Sequence, residues 1–323
     1  MSLLNIAIKE FEVGVRTKRF YATLALFLVI AVVMTKMMGV FVEEVGSYKT
    51  PFQALFFSSL STAFNYGLSL FAILLGATAI NQEIKDGTIK VLYSKPIYRD
   101  TIIFGKVLGG VISIAFVVGL FYAFMIALAL IFGKPITSYD ISRLLVIYPF
   151  TILYGIVMYS LGLLFSVIIK SPTNSLLAGI FAFLFLAIII PSIIAPIIAL
   201  AIAGLPHFSE APMDNSTTVL ESQEYQQWMD RYYSAYIKVI AISLPYHFEE
   251  ICEMIFGRKT TEDILSSLSG VIEESGGNEI SFVEDRSILE SLSLVVNDIV
   301  VLLIGLFLFL VPSYVKFAKI DLR

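Results

Sequence analysis

The sequence predicts an all-α polytopic membrane protein. It has six transmembrane helices, an N-terminal interfacial helix, and a small, mainly helical extracytoplasmic domain between spans five and six. Three observations predict this class. Of 323 residues, 58% are hydrophobic and 15% charged, against about a quarter charged in soluble domains; the mean hydropathy is +0.86. The apolar residues gather in runs long enough to cross a hydrocarbon core of roughly 30 Å. The short segments joining alternate runs are basic on one side of the chain's path.

Each element follows from its local pattern. Leu3, Leu4, Ala7, Ile8, Phe11 and Val15 recur at helical spacing among Asn5, Lys9, Glu12 and Arg16, which predicts an amphipathic helix over residues 2–18 lying in the membrane interface. A solvated lead-in to the first span is the plainer alternative. The first span runs from Phe20 to about Val40, and the second from about Leu55 to Ile80. A charged segment, 81–106, separates it from a third span over roughly Val107–Phe132, which turns at Gly133-Lys134-Pro135. The fourth covers about Leu144–Ile169, and a tight Lys170-Ser171-Pro172-Thr173 turn leads directly into the fifth. Pro191 and Pro196 interrupt this last run, and a proline both lacks a donor and clashes with the preceding turn. A broken element is expected there: a span ending near Pro191, then a short helix dipping back into the outer leaflet.

Residues 204–290 change character to an acidic stretch holding the only tryptophan, Trp228. Tyr225, Trp228, Tyr232, Tyr233 and Tyr236 fit one long amphipathic helix, and Phe248, Ile251, Ile255 and Phe256 a second. A third is expected after Thr260, with Asp263 completing its cap, and a turn at Ser275-Gly276-Gly277-Asn278. Fewer than about 90 residues make a marginal core, so this domain is expected to lean on the membrane helices or on a second copy. The last span, in 291–323, covers about Ile299–Tyr314, and its helix can start as early as Arg286. Residues 1–203 then form the main transmembrane domain.

Lys9, Arg16, Lys18, Arg19, Lys85, Lys90, Lys95, Arg99, Lys106, Lys170, Lys316, Lys319 and Arg323 all fall on the side of the termini, where acids are few. The positive-inside rule therefore predicts a multi-pass cell-membrane protein with both termini cytoplasmic and residues 204–290 extracytoplasmic.

No GxxxxGK[ST] phosphate loop, GxSxG elbow or HExxH is present, so the chain is not expected to hydrolyse nucleotide or to be an enzyme. No catalytic residue is assigned. The single cysteine, Cys252, excludes an intrachain disulfide. Together with Met254 and His247 it fits no closed metal site, so no metal is assigned. Nothing suggests nucleic acid as a partner; membrane lipids are expected. No carboxylate sits deep in a span, Asp298 lying nearest, which argues against an ion-driven carrier.

The segment INQEIKDGTIKVLYSKPIYRDTIIFGKVLG, from Ile80 to Gly109, organises the rest. Its helix continues past the membrane face, and Gly87 permits a turn that a Cβ would hinder. Ile84, Ile89, Val91, Leu92 and Ile97 place apolar groups among charges, a pattern suited to docking another protein. A solvated basic loop that only fixes topology is the alternative, and the residues alone do not decide between them.

This stretch resembles the first cytosolic loop of ABC-2 type permeases, the type-2 exporter class of ABC transporter. There a Glu and a Gly-Thr step follow the second span, and a Ser-Lys/Arg-Pro-Ile-x-Arg segment leads to Gly-Lys. The matching residues are Glu83, Gly87-Thr88, Ser94-Lys95-Pro96-Ile97, Arg99 and Gly105-Lys106. The interfacial helix, span order, tight fourth-to-fifth turn and interrupted fifth element match as well, over Met1–Ala203 and the last span. The acidic region between spans five and six is larger than the plain family pattern.

The resemblance implies a homodimer or paired permease bound to two cytosolic ABC ATPase subunits, which would hold ATP and Mg; this chain binds no cofactor itself. It implies that Glu83, Lys85, Asp86, Gly87, Thr88, Lys90, Lys95, Pro96 and Arg99 couple to those subunits. The cargo would be an amphipathic or hydrophobic drug, peptide or lipid-like substrate. It also implies a cavity lined by spans two and five, making Asn65, Tyr66, Ser69 and Thr78 candidate pathway groups; helix–helix hydrogen bonding is the ordinary alternative for such residues. Phe52, Phe56, Phe57, Phe64 and Phe71 read as packing or lipid-facing. A different class of function stays open, a membrane-anchored binding or sensor protein whose acidic outer domain engages an extracytoplasmic partner.

Overall fold

The computed structural model describes residues 3–18, 20–22, 24–25, 28–29, 32–33, 49–56, 64–87, 99–205, 223–257 and 286–319. Five helices among them are long and apolar enough to cross a membrane: Asn65–Lys85, Asp100–Ile131, Ser138–Ile168, Pro172–Ala203 and Val296–Lys319. The chain is an all-α polytopic membrane protein. Of the predicted first span, the described residues from Phe20 to Val33 are helical, and the rest lies outside the described residues. So do Thr88, Lys90, Lys95 and Pro96 of the charged segment, the helix expected after Thr260, and the Ser275–Asn278 turn.

The helices, in chain order, are α1 (Leu3–Arg16), α2 (Pro51–Leu55), α3 (Ser69–Thr78), α4 (Asn81–Lys85), α5 (Arg99–Ile131), α6 (Ser138–Ile168), α7 (Pro172–Leu184), α8 (Ala195–Ala203), α9 (Gln223–Ile240), α10 (Leu244–Ile255), α11 (Ile288–Leu294) and α12 (Val296–Lys319). A π-helical turn, Phe64–Leu68, leads into α3, and a longer one, Phe185–Ile194, joins α7 to α8. Lys9, Lys85, Lys106, Lys170, Lys316 and Lys319 gather at one end of the bundle, called here the basic end.

Small residues set the closest approaches. α3 crosses α6 where Gly76 meets the backbone at Tyr159 and Leu163, and Gly162 meets that of Ile73 and Ala77. α1 lies along the start of α5 on Gly105 and Gly109, whose missing side chains leave room for Ile6, Ala7 and the Glu10 stem. This four-residue spacing of small residues lets helices pack closely where no hydrophobic driving force separates protein from lipid. At 33 residues α5 is about 50 Å long, longer than the hydrocarbon core, so its first turns are free to carry α1.

The expected break in the fifth span is corrected: the chain stays helical from Pro172 to Ala203. Pro191 is instead absorbed by the π-helical stretch and Pro196 by the first turn of α8 just after it; at their junction the N–H groups reach five residues back, as Ala195 N–H does to the Ile190 carbonyl. In that register the two missing proline donors orphan the carbonyls of Leu186 and Pro191. Each is met from elsewhere: Ser243 Oγ donates to Leu186 O at 2.8 Å, and Tyr236 Oη to Pro191 O at 3.3 Å. Irregular backbone at membrane depth survives where neighbouring groups satisfy it in this way.

Those two donors belong to a helical hairpin formed by α9 and α10, the described part of the acidic region. It packs along the bundle. Trp228 Nε1 donates to the Gly204 carbonyl at 2.8 Å, near the start of α9, and Tyr236 reaches Pro191 further along. The α10 helix then returns with Leu244 against Gly305 and Phe248 stacked on Tyr154 at 4.3 Å. Its end is held by Gln53 Nε2, donating to the Phe256 carbonyl at 3.0 Å, and by Arg143, donating to the Ile255 and Arg286 carbonyls. The last span, by contrast, has its own interruption: α11 ends at Leu294, and α12 begins after Val295.

Candidate functional site

At the basic end, α3 stops at Thr78 and α4 starts three residues later. The break at Ala79–Ile80 leaves two backbone donors, and Ser166 Oγ of α6 accepts from both Ile80 N and Asn81 N, at 3.0 and 3.1 Å. Asn81 Nδ2 in turn donates to the Ile169 carbonyl at 3.3 Å. The short α4 is therefore a separate piece, fixed to α6 at its base and ended by Gly87 at φ +70°, a value that favours glycine. Ile84, Lys85 and Asp86 are exposed on it.

Glu83 points the other way. Its Oε2 lies 2.9 Å from Lys106 Nζ, and Glu10 Oε1 of α1 lies 3.0 Å from the same ammonium. Lys106 is 1% exposed, and Tyr159 Oη donates to its carbonyl at 3.1 Å. A buried ammonium needs such partners, since an isolated charge in low dielectric costs several kcal/mol. Three segments that the sequence keeps far apart thus meet at one cation. Beside the triad lies a cavity of about 380 Å³ bordered by α1, α3, α4 and α5, with Thr78, Gln82, Glu83 and Asp86 among its lining.

A second cavity, about 260 Å³, lies toward the opposite end between the start of the second span, the π-helical stretch and the hairpin. Asn65, Tyr66, Tyr236, Tyr246, Glu249, Glu250 and Glu253 line it. Burial, reinforced by the charge and hydrogen bond of Glu250, raises the Tyr246 pKa, so its hydroxyl keeps its proton.

The four candidate pathway residues divide. Asn65 and Tyr66 border the opposite-end cavity and Thr78 the basic-end one. Ser69 borders neither: its hydroxyl donates to the Asn65 carbonyl at 2.5 Å and meets Tyr154 Oη at 2.6 Å. Among the candidate coupling residues, Glu83, Lys85, Asp86 and Gly87 sit together at α4, and Arg99 opens α5. Lys106, Glu10, Tyr159 and the three α10 carboxylates were not singled out as site residues. Lys106 carried a visible signal, a lysine inside an otherwise small and apolar Gly105–Gly110 stretch, but its two partners lie in remote segments.

His247 joins the hairpin to the last span. Its Nδ1 lies 2.6 Å from Asp298 Oδ1 and its Nε2 2.7 Å from the Ala241 carbonyl. A carbonyl only accepts, so Nε2 carries a hydrogen, and the contact with Asp298 places a second proton on the pair. Burial, the largest single influence, would lower the His247 pKa; the bonds to Asp298 and Ala241, with the charges of Asp298 and Glu250, outweigh it and raise the value. A raised folded-state pKa contributes stability that is full below the unfolded value of about 6.5 and is lost as pH climbs through the folded value. The thermal midpoint should therefore fall more steeply as pH rises above about 6.5 in the native protein than in His247→Gln. Parallel curves would remove this assignment.

A family model described as ABC-2 family transporter protein matches residues 4–322. No curated protein matches the chain. With nearly its whole length covered and five apolar helices of spanning length, the chain belongs to the ABC-2 transporter family and is the membrane permease subunit of an ABC transporter, the kind that associates with ABC ATPase subunits.

Proposed function

We propose that this permease works as a dimer to export an amphipathic or hydrophobic cargo, driven by cytosolic ATPase subunits that dock on α4 and the segment following it. Both termini and α4 face the cytosol in this reading, and the region after Ala203 is reached from the outer side, with α9 and α10 packing back along the spans. ATP and Mg stay in the ATPase subunits. The observation that carries the reading is the two-sided character of α4. Ile84, Lys85 and Asp86 are exposed for a partner, while Glu83 on the same short helix is tied inward to Lys106. A push on the exposed face reaches α5 and α1 through one ammonium. The break at Ala79–Ile80, held by a single serine hydroxyl, gives α4 freedom to tilt against α3. The hairpin's packing along the fifth and last spans favours transport over a free-standing sensor domain, because the acidic region shares hydrogen bonds with the membrane helices.

The test is reconstitution with the associated ATPase. Native permease should co-purify with a Walker-motif subunit and change its ATP hydrolysis rate. Gly87→Arg, which forces a side chain onto a left-handed position on the docking face, should cut that effect about tenfold or more while the membrane helices stay folded. Unchanged coupling in Gly87→Arg would remove α4 from the pathway.

A further inference from the structure

The junction between α3 and α4 is built as an exchange of hydrogen-bond partners. A continuous helix would spend the Ile80 and Asn81 N–H groups on the Gly76 and Ala77 carbonyls, four residues back. Here Ser166 Oγ takes both donors instead. The Gly76 carbonyl accepts from Ala79 N at 3.1 Å, and the Ala77 carbonyl from Ser175 Oγ of α7 at 2.9 Å. Two buried hydroxyls from neighbouring helices thus hold apart a helix that has the groups to close on itself.

The backbone is already close to closing. Ala79 sits at φ −61°, ψ −34° and Ile80 at φ −111°, ψ −51°. Only the Ile80 φ departs far from the α-helical value of about −63°, by roughly 50°. An independent observation concerns Asn81, which is 1% exposed. Its Nδ2 bonds the Ile169 carbonyl, but its Oδ1 is buried with no hydrogen-bond partner among the described residues. A buried acceptor left unmet disfavours the arrangement that contains it. The separated junction therefore carries a cost that moving Asn81 would relieve.

We propose that this junction has two states, and that Ser166 and Ser175 are the latch that holds the one seen here. In the second state the Ile80 and Asn81 N–H groups turn to the Gly76 and Ala77 carbonyls, and α3 and α4 run on as one helix. The Ser166 hydroxyl then serves its own helix, as Ser160 Oγ of α6 does in bonding the Ile156 carbonyl at 2.8 Å. The two backbone donors keep a partner in both states, which is what lets two discrete packings lie close in energy. Closing swings α4 about the Ile80 torsion and carries Glu83 against Lys106. That an ATPase drives this swing rests on the coupling reading above; that the junction has two states does not.

Spin labels at Lys85→Cys on α4 and Lys316→Cys on α12, both exposed at the basic end, report the swing by double electron–electron resonance. The full-length protein is used in a maltoside detergent, with the one native cysteine, Cys252, replaced by alanine. With the serines intact, one distance should dominate. Ser166→Ala leaves two buried donors without their acceptor, so a second distance of similar width should appear, displaced by about 3–5 Å because α4 is only about 7 Å long. Its share relative to the first should rise about tenfold or more. Ser175→Ala leaves the Ser166 acceptor in place and should shift the balance the same way by a smaller factor. It carries the comparison by itself if Ser166→Ala does not fold. Ser160→Ala is the control on the same helix, and it should keep the native distribution. An unchanged single distance in the Ser166 and Ser175 variants overturns the proposal, and so does a broad, featureless distribution, the mark of a frayed α4. No ATPase is present, so failure here removes the latch and leaves the permease reading standing, and loss of coupling in reconstitution does the converse.

Discussion

Lys106→Met is expected to cost about 3–5 kcal/mol of stability, the usual effect of removing one partner from a buried ion cluster. Glu10 and Glu83, only partly exposed beside the cavity, would be left facing each other with no cation between them. The methionine itself fits, being unbranched and of similar length, so the loss comes from charge and not from volume. Replacing all three, Glu10→Gln, Lys106→Met and Glu83→Gln, removes the stranded carboxylates and should restore most of the thermal midpoint. The two variants separate stability from transmission. If the triad carries motion from α4, the triple variant folds and hydrolyses ATP with its partner, yet transport per ATP falls about tenfold or more. A triple variant that is both stable and fully coupled would reduce the triad to a packing device.

Gly76→Ala is expected to cost about 3 kcal/mol, near the upper end for overpacking. The added Cβ would fall on the Tyr159 carbonyl oxygen and lie 2.8 Å from the Leu163 nitrogen. Those are backbone atoms, which cannot swing aside as a side chain does. The α3–α6 pair must separate, and with it the Ser166 bonds that hold the base of α4. Gly162→Ala should behave alike, since its Cβ would stand 2.6 Å from the Ile73 carbonyl oxygen. Gly119→Ala is the control: its Cβ would meet only the Tyr148 hydroxyl, at 3.4 Å, so the change should be neutral or slightly favourable through helix propensity. Thermal midpoints of the three purified variants, followed by the fraction remaining monodisperse after heating, decide the matter. Similar midpoints for Gly76→Ala and Gly119→Ala would contradict the crossing.

Much of the architecture was legible because it depends on local composition. The apolar runs marked the spans, Gly87 marked the end of α4, and the Lys170–Thr173 turn marked the junction where Ser171 caps α7. What escaped was whatever is settled by distant partners. Pro191 and Pro196 were visible, and a broken span was the local reading. The outcome was decided by Ser243 and Tyr236, which lie 57 and 45 residues beyond the carbonyls they satisfy. Lys106 read as a topological charge and as part of the Gly105-Lys106 motif, not as the centre of a buried ion cluster, because Glu10, 96 residues earlier, leaves no periodic signal. The α10 carboxylates read as part of an acidic, solvated region, since only the fold brings them beside Asn65 and Tyr66. Those two residues entered through the family resemblance, and their polarity alone would not have separated them from Ser69, which hydrogen-bonds between helices.

The central claim is that a separate ATPase presses on the exposed face of α4. Photo-crosslinking tests it without knowledge of the cargo. A photoreactive residue replaces Lys85 on α4 or, as the comparison, Lys134 in the turn at the far end of α5, and intact cells are irradiated. The account predicts an adduct with a soluble Walker-motif subunit from position 85 and none from position 134. An adduct from position 134 with none from position 85 would contradict it.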